Sequence, residues 1–259
     1  MRVVAVQLDT AWEDKPSNHV AVERLLAAAP PPPGALVVLP EMFATGFSMD
    51  VGAINEDEHP ASEVFVSELA RRHSVAVVAG VVRREPGGRG LNQALAVGPE
   101  GAELVRYSKI HPFSYAGEDR HYARGRDVVT FAHGCFTVCP FVCYDLRFPE
   151  VFRVGVRKGA QLFVVIANWP SAREAHWRAL LAARAIENQA WVVGVNRCGR
   201  DPVGAYPGSS RILDPLGRVV AEAGADECTL AAELDLDMLV EYRRRFPVLR
   251  DIDPRFVRE

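Results

Sequence analysis

A chain of 259 residues, 49% hydrophobic and 24% charged, can bury a sizeable core and has the composition of an ordinary soluble globular protein. Its net charge of −3 gives no general attraction to nucleic acid or to an anionic membrane surface. Five cysteines form no disulfide-like framework, no apolar run approaches the roughly 20 residues of a membrane span, and Met1-Arg-Val-Val-Ala opens as a strand rather than as a secretion signal, so the expected setting is the reducing cytoplasm.

Strand-like and helix-like segments alternate along the chain. Residues 3–7 read as a short apolar strand. Residues 18–29 carry Val20, Val22, Leu25 and Leu26 at helical spacing, and the prolines at 30–33 stop that helix. Residues 35–39 read as the next strand and 60–73 as a helix with Val64, Phe65, Leu69 and Ala70 on one side. Residues 75–82, valines and small residues without a break, fit a strand covered on both faces. Gly98-Pro-Glu-Gly101 joins strands 91–97 and 104–107 into a hairpin. A strand at 136–143 runs into the polar turn Cys143-Tyr-Asp-Leu-Arg-Phe-Pro-Glu150. Residues 162–167 are strand-like, 173–189 are the longest helix candidate and 191–195 are a strand. A second hairpin turns at Asp214-Pro-Leu-Gly217, and residues 229–236 form the last strand. Arg243-Arg-Arg245 reads as a solvated helix end. The mixture of βαβ-like units and hairpins predicts an α/β fold with mixed sheets layered by helices, in one domain spanning residues 1–259.

Three strand ends carry chemistry. Val37-Val-Leu-Pro-Glu41 ends in a carboxylate, Leu104-Val-Arg-Tyr-Ser-Lys109 in an amine, and the strand before Cys143 in a thiol. Singly, Glu41 reads equally as a loop cap, Lys109 as a surface lysine and Cys143 as a small buried hydrophobe. Together they suit acyl transfer, because open α/β sheets gather ligands at strand carboxyl ends. Glu41 would take the thiol proton. Lys109 would lower the thiol pKa and stabilise an oxyanion, together with the backbone N–H of Tyr144. Attack on an amide would give a thioester and ammonia.

The blocks Leu39-Pro-Glu-Met-Phe43, Tyr107-Ser-Lys-Ile-His111 and Val142-Cys-Tyr-Asp-Leu-Arg-Phe-Pro-Glu150 resemble the nitrilase superfamily of carbon–nitrogen hydrolases. The resemblance continues through Ala167-Asn-Trp-Pro170, Ala183-Arg-Ala-Ile-Glu-Asn-Gln189 and Val195-Asn-Arg197, and within the superfamily it points to the bacterial omega-amidase branch. It implies a four-layer αββα sandwich, usually a homodimer, with Glu41 as base, Lys109 as oxyanion partner and Cys143 as nucleophile. It also implies a second glutamate after the lysine, for which Glu118 is the candidate and Asp119 its neighbour. The implied substrate is a small carboxylic acid monoamide such as 2-oxoglutaramate or 2-oxosuccinamate. The alternatives are deaminated glutathione or another short acyl amide, and nitrile hydrolysis or acyl transfer on the same scaffold.

For the substrate carboxylate, Arg147 is a candidate, although pairing with Asp145 or Glu150 to fix the turn is the favoured reading of it; Arg173 and Arg178 are the other candidates. Phe43, Tyr115 and Trp169 are candidates for an aromatic wall, with Trp169 read as pocket or core alike. Cys135, Cys139 and Cys143 recur every four residues, but the spacing is wrong for a metal site and Pro140 is expected to break the extended run. No metal, nucleotide or other cofactor is expected, since Gly87-Gly-Arg-Gly90 leads into a strand rather than a helix. His111 lies near Lys109 and reads as a supporting residue. Residues 248–251 could cross to a neighbouring subunit or pack on their own.

Overall fold

The computed structural model of the protein describes residues 1–56, 60–253 and 255. In chain order, β1 (Arg2–Gln7) leads to α1 (Lys15–Ala28), β2 (Leu36–Val38), the one-turn α2 (Val51–Ile54), α3 (Ala61–His73) and β3 (Ala76–Arg84). The strands β4 (Gly90–Val97) and β5 (Glu103–Ser108) form the expected hairpin. A short α4 (Glu118–His121) precedes β6 (Phe131–His133), β7 (Phe136–Val142), α5 (Pro149–Arg157), β8 (Leu162–Ala167), α6 (Glu174–Asn188) and β9 (Trp191–Asn196). The chain ends with the small hairpin β10 (Cys198–Arg200) and β11 (Ala205–Pro207), the hairpin β12 (Arg211–Leu213) and β13 (Val219–Glu222), then β14 (Cys228–Glu233) and α7 (Leu236–Arg245).

Two six-stranded sheets result, ordered β14-β1-β2-β3-β4-β5 and β13-β12-β9-β8-β7-β6. They repeat one plan. Each has a parallel triplet, β1-β2-β3 or β7-β8-β9, with an antiparallel strand on one edge and an antiparallel pair on the other. Side-chain parity sets the layers. Val3, Ala5, Leu36, Val38, Ala76 and Val78 share one core with residues of the second sheet such as Val138 and Val164. Their neighbours Val4, Val6, Val37, Leu39, Val77 and Ala79 face the other way, onto Val22, Leu25 and Leu26 of α1 and Val66 and Leu69 of α3. On the far side, α5 and α6 contribute Phe152, Trp177 and Leu181 against the second sheet. The fold is a four-layer αββα sandwich. No helix of the described residues is long and apolar enough to cross a membrane.

Several expectations shift. α1 begins three residues earlier than predicted, because the Asp14 carboxylate accepts from Ser17 N at 3.1 Å and Pro16 sits in the first turn, where its missing N–H costs nothing. Val20 points out, 67% exposed. Asn18 is buried instead, because its amide satisfies Ala11 and the Ala44 carbonyl. Val64 is likewise exposed and Val66 buried. Pro140 does not break the run: it lies inside β7, beyond the Phe136–Val138 stretch that β6 pairs, so its missing donor is tolerated there. Arg244 and Arg245 are the solvated helix end, both on Glu241. Arg243 is not, for it reaches back to the carbonyls of Gln189 and Ala160 and so caps the end of α6. Residues 248–251 form a single 3-10 turn after α7.

Candidate active site

Glu41, Lys109 and Glu118 form one buried cluster. Lys109 Nζ lies 2.8 Å from Glu41 Oε1 and 2.8 Å from Glu118 Oε2, and all three side chains are 0–1% exposed. Each comes from a different element. Glu41 stands in the turn that follows β2, Lys109 is the first residue beyond β5, and Glu118 opens α4. Glu118 is the second carboxylate, and the adjacent Asp119 is exposed. Asn92 of β4 spans the pair, donating at 2.6 Å to Glu41 and at 2.9 Å to Glu118, while its carbonyl accepts from Lys109 N. Beyond β8, Asn168 donates its backbone N–H to Glu41 Oε2 at 2.8 Å and its amide to the Glu41 carbonyl at 2.8 Å. The Phe47 ring lies 5.3 Å from Lys109 Nζ.

Cys143 follows β7 directly and sits at φ +46°. A left-handed backbone at a non-glycine residue is sparsely populated, and it here turns the chain sharply from strand into the 3-10 turn Cys143–Arg147. Asp145 holds that turn. Its carboxylate accepts from Val142 N and from the Tyr107 hydroxyl at 2.7 Å, as well as from His111 N, and it meets His111 Nδ1 at 2.8 Å. Residues two before and two after Lys109 are thereby tied to the residue before Cys143. His111 is a supporting residue stacked on Phe148.

The electrostatics follow from burial. Desolvation pushes Glu41 up, but Lys109, Asn92 and the Asn168 N–H outweigh it and hold the carboxyl below its ordinary range. Glu118 goes the other way: burial and the neighbouring Glu41 raise it despite Lys109. Lys109, between two carboxylates, is held more firmly protonated than usual, although burial alone would lower it. The Cys143 thiol is pushed well above its ordinary value by burial first and then by Glu41, with Lys109 opposing. Lys109 does act downward on the thiol, as expected, but two carboxylates and the loss of water prevail over one ammonium. The proton rests on sulfur and Glu41 is the ionised partner.

Cys143 opens onto a cleft of about 490 Å³, its mouth included, lined by Phe47, Phe113, Tyr144, Trp169 and Tyr206 among others. The sequence profile of the carbon-nitrogen hydrolase family matches residues 2–244. An omega-amidase of Yersinia enterocolitica is 40% identical, over 98% of this chain and 97% of that one. A 2-oxoglutaramate amidase of Bacillus subtilis is 32% identical, over 96% of each. Among solved structures, a CN-hydrolase superfamily protein of Xanthomonas campestris superposes with a TM-score of 0.91 at 34% identity, over 98% of this chain and 97% of that one.

The chain belongs to the carbon–nitrogen hydrolase family. It is an enzyme that hydrolyses carbon–nitrogen bonds other than peptide bonds, a nitrilase-type amidase.

In this carbon–nitrogen hydrolase the residues expected to form the cleft wall divide. Tyr144 and Trp169 line the cleft. Trp169 is core as well, 2% exposed and packed on Trp177. Phe43 does not line it: fully buried, it stacks with His19 and Phe65 under the first sheet, because the turn at Met42 (φ +45°) sends it to the helix side. Tyr115 is 80% exposed on a 3-10 turn, and its neighbour Phe113 lines the cleft instead. Arg147 lines the cleft and does not pair with Asp145 or Glu150. Asp145 is already occupied by Tyr107 and His111, and Arg147 meets His176 Nδ1 at 3.2 Å. Arg173 also lines the cleft, whereas Arg178 is held away by Glu174, Glu222 and Ser209. Sequence reasoning missed Asn92, Asn168 as a partner of Glu41, and Asp145 as the clamp of the turn. A polar Asn92-Gln93 pair inside an apolar strand was the available signal for the first.

Proposed function

We propose that this hydrolase is an omega-amidase, converting a 2-oxo acid monoamide such as 2-oxoglutaramate or 2-oxosuccinamate to the 2-oxo diacid and ammonia, with Cys143 as nucleophile, Glu41 as base, Lys109 as oxyanion donor and Glu118 as the carboxylate that fixes Lys109. The observation that carries the reading is the closed Glu41–Lys109–Glu118 network beside the buried Cys143 thiol, which feels the charges of all three. The names of the relatives supply the substrate class.

The thiol Sγ attacks the amide carbon as its proton passes to Glu41. The oxyanion is met by a Lys109 N–H and by the Tyr144 N–H, which stands in the first turn of a helical segment, where backbone donors lack partners within the turn. Lys109 carries three donors; Glu41 takes one and the two Glu118 oxygens share another, so one remains for the oxyanion. Collapse breaks the C–N bond, Glu41 returns the proton to nitrogen and ammonia leaves a thioester. Water, its proton taken by Glu41, then attacks the thioester. The C–S bond breaks, sulfur recovers the proton, and the acid departs. No step consumes a cofactor. The small apolar cleft suits a short acyl chain. One catalytic domain, working in the cytoplasm as a homodimer, completes the proposal.

An ammonia-release screen tests it. The expected order puts the highest kcat/KM on 2-oxoglutaramate and 2-oxosuccinamate, above succinamate, glutamine, deaminated glutathione and simple nitriles. A preference for deaminated glutathione, or for nitriles, would overturn it.

A further inference from the structure

The cleft over Cys143 contains two guanidinium groups and no carboxylate to balance them. Arg147 and Arg173 are its only lining cations among the described residues, and no acidic side chain lines it. Both are half-buried. Neither has a carboxylate partner among the described residues, in contrast to Arg178, which has two. An unpaired, partly desolvated guanidinium is costly to hold, and two in one cleft favour an anionic occupant.

Trp169 ties the two arginines together. Its ring lies 4.8 Å from the Arg147 guanidinium carbon, and its indole N–H donates at 2.7 Å to the Arg173 carbonyl. Arg147 is further fixed by His176 and by the Tyr144 ring at 5.9 Å. Arg173 rests on Tyr115 at 4.9 Å and Phe113 at 5.6 Å. These aromatic faces hold the planar groups without consuming their in-plane donors, and those donors are what a carboxylate binds two at a time. Glu41 and Glu118 are absent from the cleft lining and are engaged with Lys109, so the arginine side is where the cleft offers cationic donors to the carboxylate end of a substrate.

We propose that Arg147 and Arg173 form a carboxylate clamp that selects amides whose acyl chain ends in an anionic group, with Arg173 the residue that sets this selectivity. The inference rests on the cleft being the amidase site, and it adds what orients the substrate in it. Tyr115, exposed and outside the cleft, then acquires a role as the plate on which Arg173 is stacked.

Two readouts separate this clamp from the omega-amidase reading. The first is selectivity: kcat/KM for 2-oxoglutaramate divided by that for 4-oxopentanamide, the same oxo amide with a methyl group in place of the carboxylate. Arg173→Gln is expected to lower this ratio roughly ten- to a hundredfold, mainly through KM of the anionic amide, with Arg173→Lys in between. The second needs no turnover: protection of Cys143 from iodoacetamide by 2-oxoglutarate, expected in the wild type and weakened at least tenfold in Arg173→Gln. An unchanged ratio together with undiminished protection in Arg173→Gln overturns the clamp. Equal losses on both amides also overturn it, because they mark a structural role. A wild type protected by 2-oxoglutarate yet inactive on every 2-oxo acid monoamide sustains the clamp and removes the omega-amidase reading.

Discussion

Burial and the Glu41 and Glu118 carboxylates, opposed by Lys109, push the Cys143 thiol well above its ordinary value and so favour the neutral form. In the proposed mechanism its reactivity therefore arises as the proton moves to Glu41 during attack, rather than from a standing thiolate. This distinguishes the site from one in which a cationic neighbour has already ionised the sulfur. The consequence is a pH profile. Lys109 titrates above its usual range and the thiol above its ordinary 9.0, so kcat/KM for 2-oxoglutaramate should stay level from neutrality past pH 9. A steady-state profile with a limb at the ordinary thiol value would show instead that the sulfur titrates freely. Glu41, Lys109 and Cys143 were readable as a set because a carboxylate, an amine and a thiol each follow the end of a strand. The Asn92 and Asp145 bonds were not, because a single amide or carboxylate in the sequence does not reveal which distant group it will meet.

At the scale of elements, the site depends on how closely the Glu41 turn approaches β3. Gly80 of β3 makes this approach: its N–H donates to the Pro40 carbonyl at 3.1 Å and its carbonyl accepts from Phe43 N at 3.2 Å. A Cβ there would stand 2.3 Å from Met42 N and 2.4 Å from the Glu41 Cα. Gly80→Ala should therefore push Glu41 away from Lys109, lowering kcat and destabilising the fold by roughly 1–3 kcal/mol. Wild-type turnover and an unshifted melting temperature in that variant would contradict this. In the sequence, Gly80 was one small residue within a run of valines. The strand was legible and the approach was not, because it depends on a turn some 40 residues away. The same limit explains α1, where helical spacing alone turned Val20 inward and left the self-satisfying Asn18 unnoticed.

The whole molecule repeats one sheet plan twice and sets its chemistry on the seam. Glu41 follows the parallel triplet of one sheet, while Cys143 and Asn168 follow that of the other. Anchoring the first sheet, Glu63 of α3 binds Arg83 of β3 at 2.6 and 2.7 Å and Arg106 of β5 at 2.8 and 3.0 Å. Burial raises the Glu63 carboxyl, but the two arginines hold it down at about 2. Its folded pKa lies below its unfolded value, so its contribution is full above about pH 4.5 and is lost as pH falls towards about 2. For a half-buried group this amounts to roughly 1–2 kcal/mol. Urea unfolding should show Glu63→Gln less stable than wild type at pH 7 and the two converging near pH 2; a gap independent of pH would contradict it. The alternation of strands and helices carried the layered fold, and the hairpin turns carried its antiparallel pairs. The strands β6, β10 and β11 were not readable, because none carries the apolar run that marked the equally short β2.

The central claim is that amide cleavage passes through the sulfur of Cys143. Ammonia release from 2-oxoglutaramate by Cys143→Ala, whose retained fold is checked by circular dichroism, tests this most directly. The account predicts release no faster than the uncatalysed background, while turnover within about tenfold of wild type would place the nucleophile elsewhere.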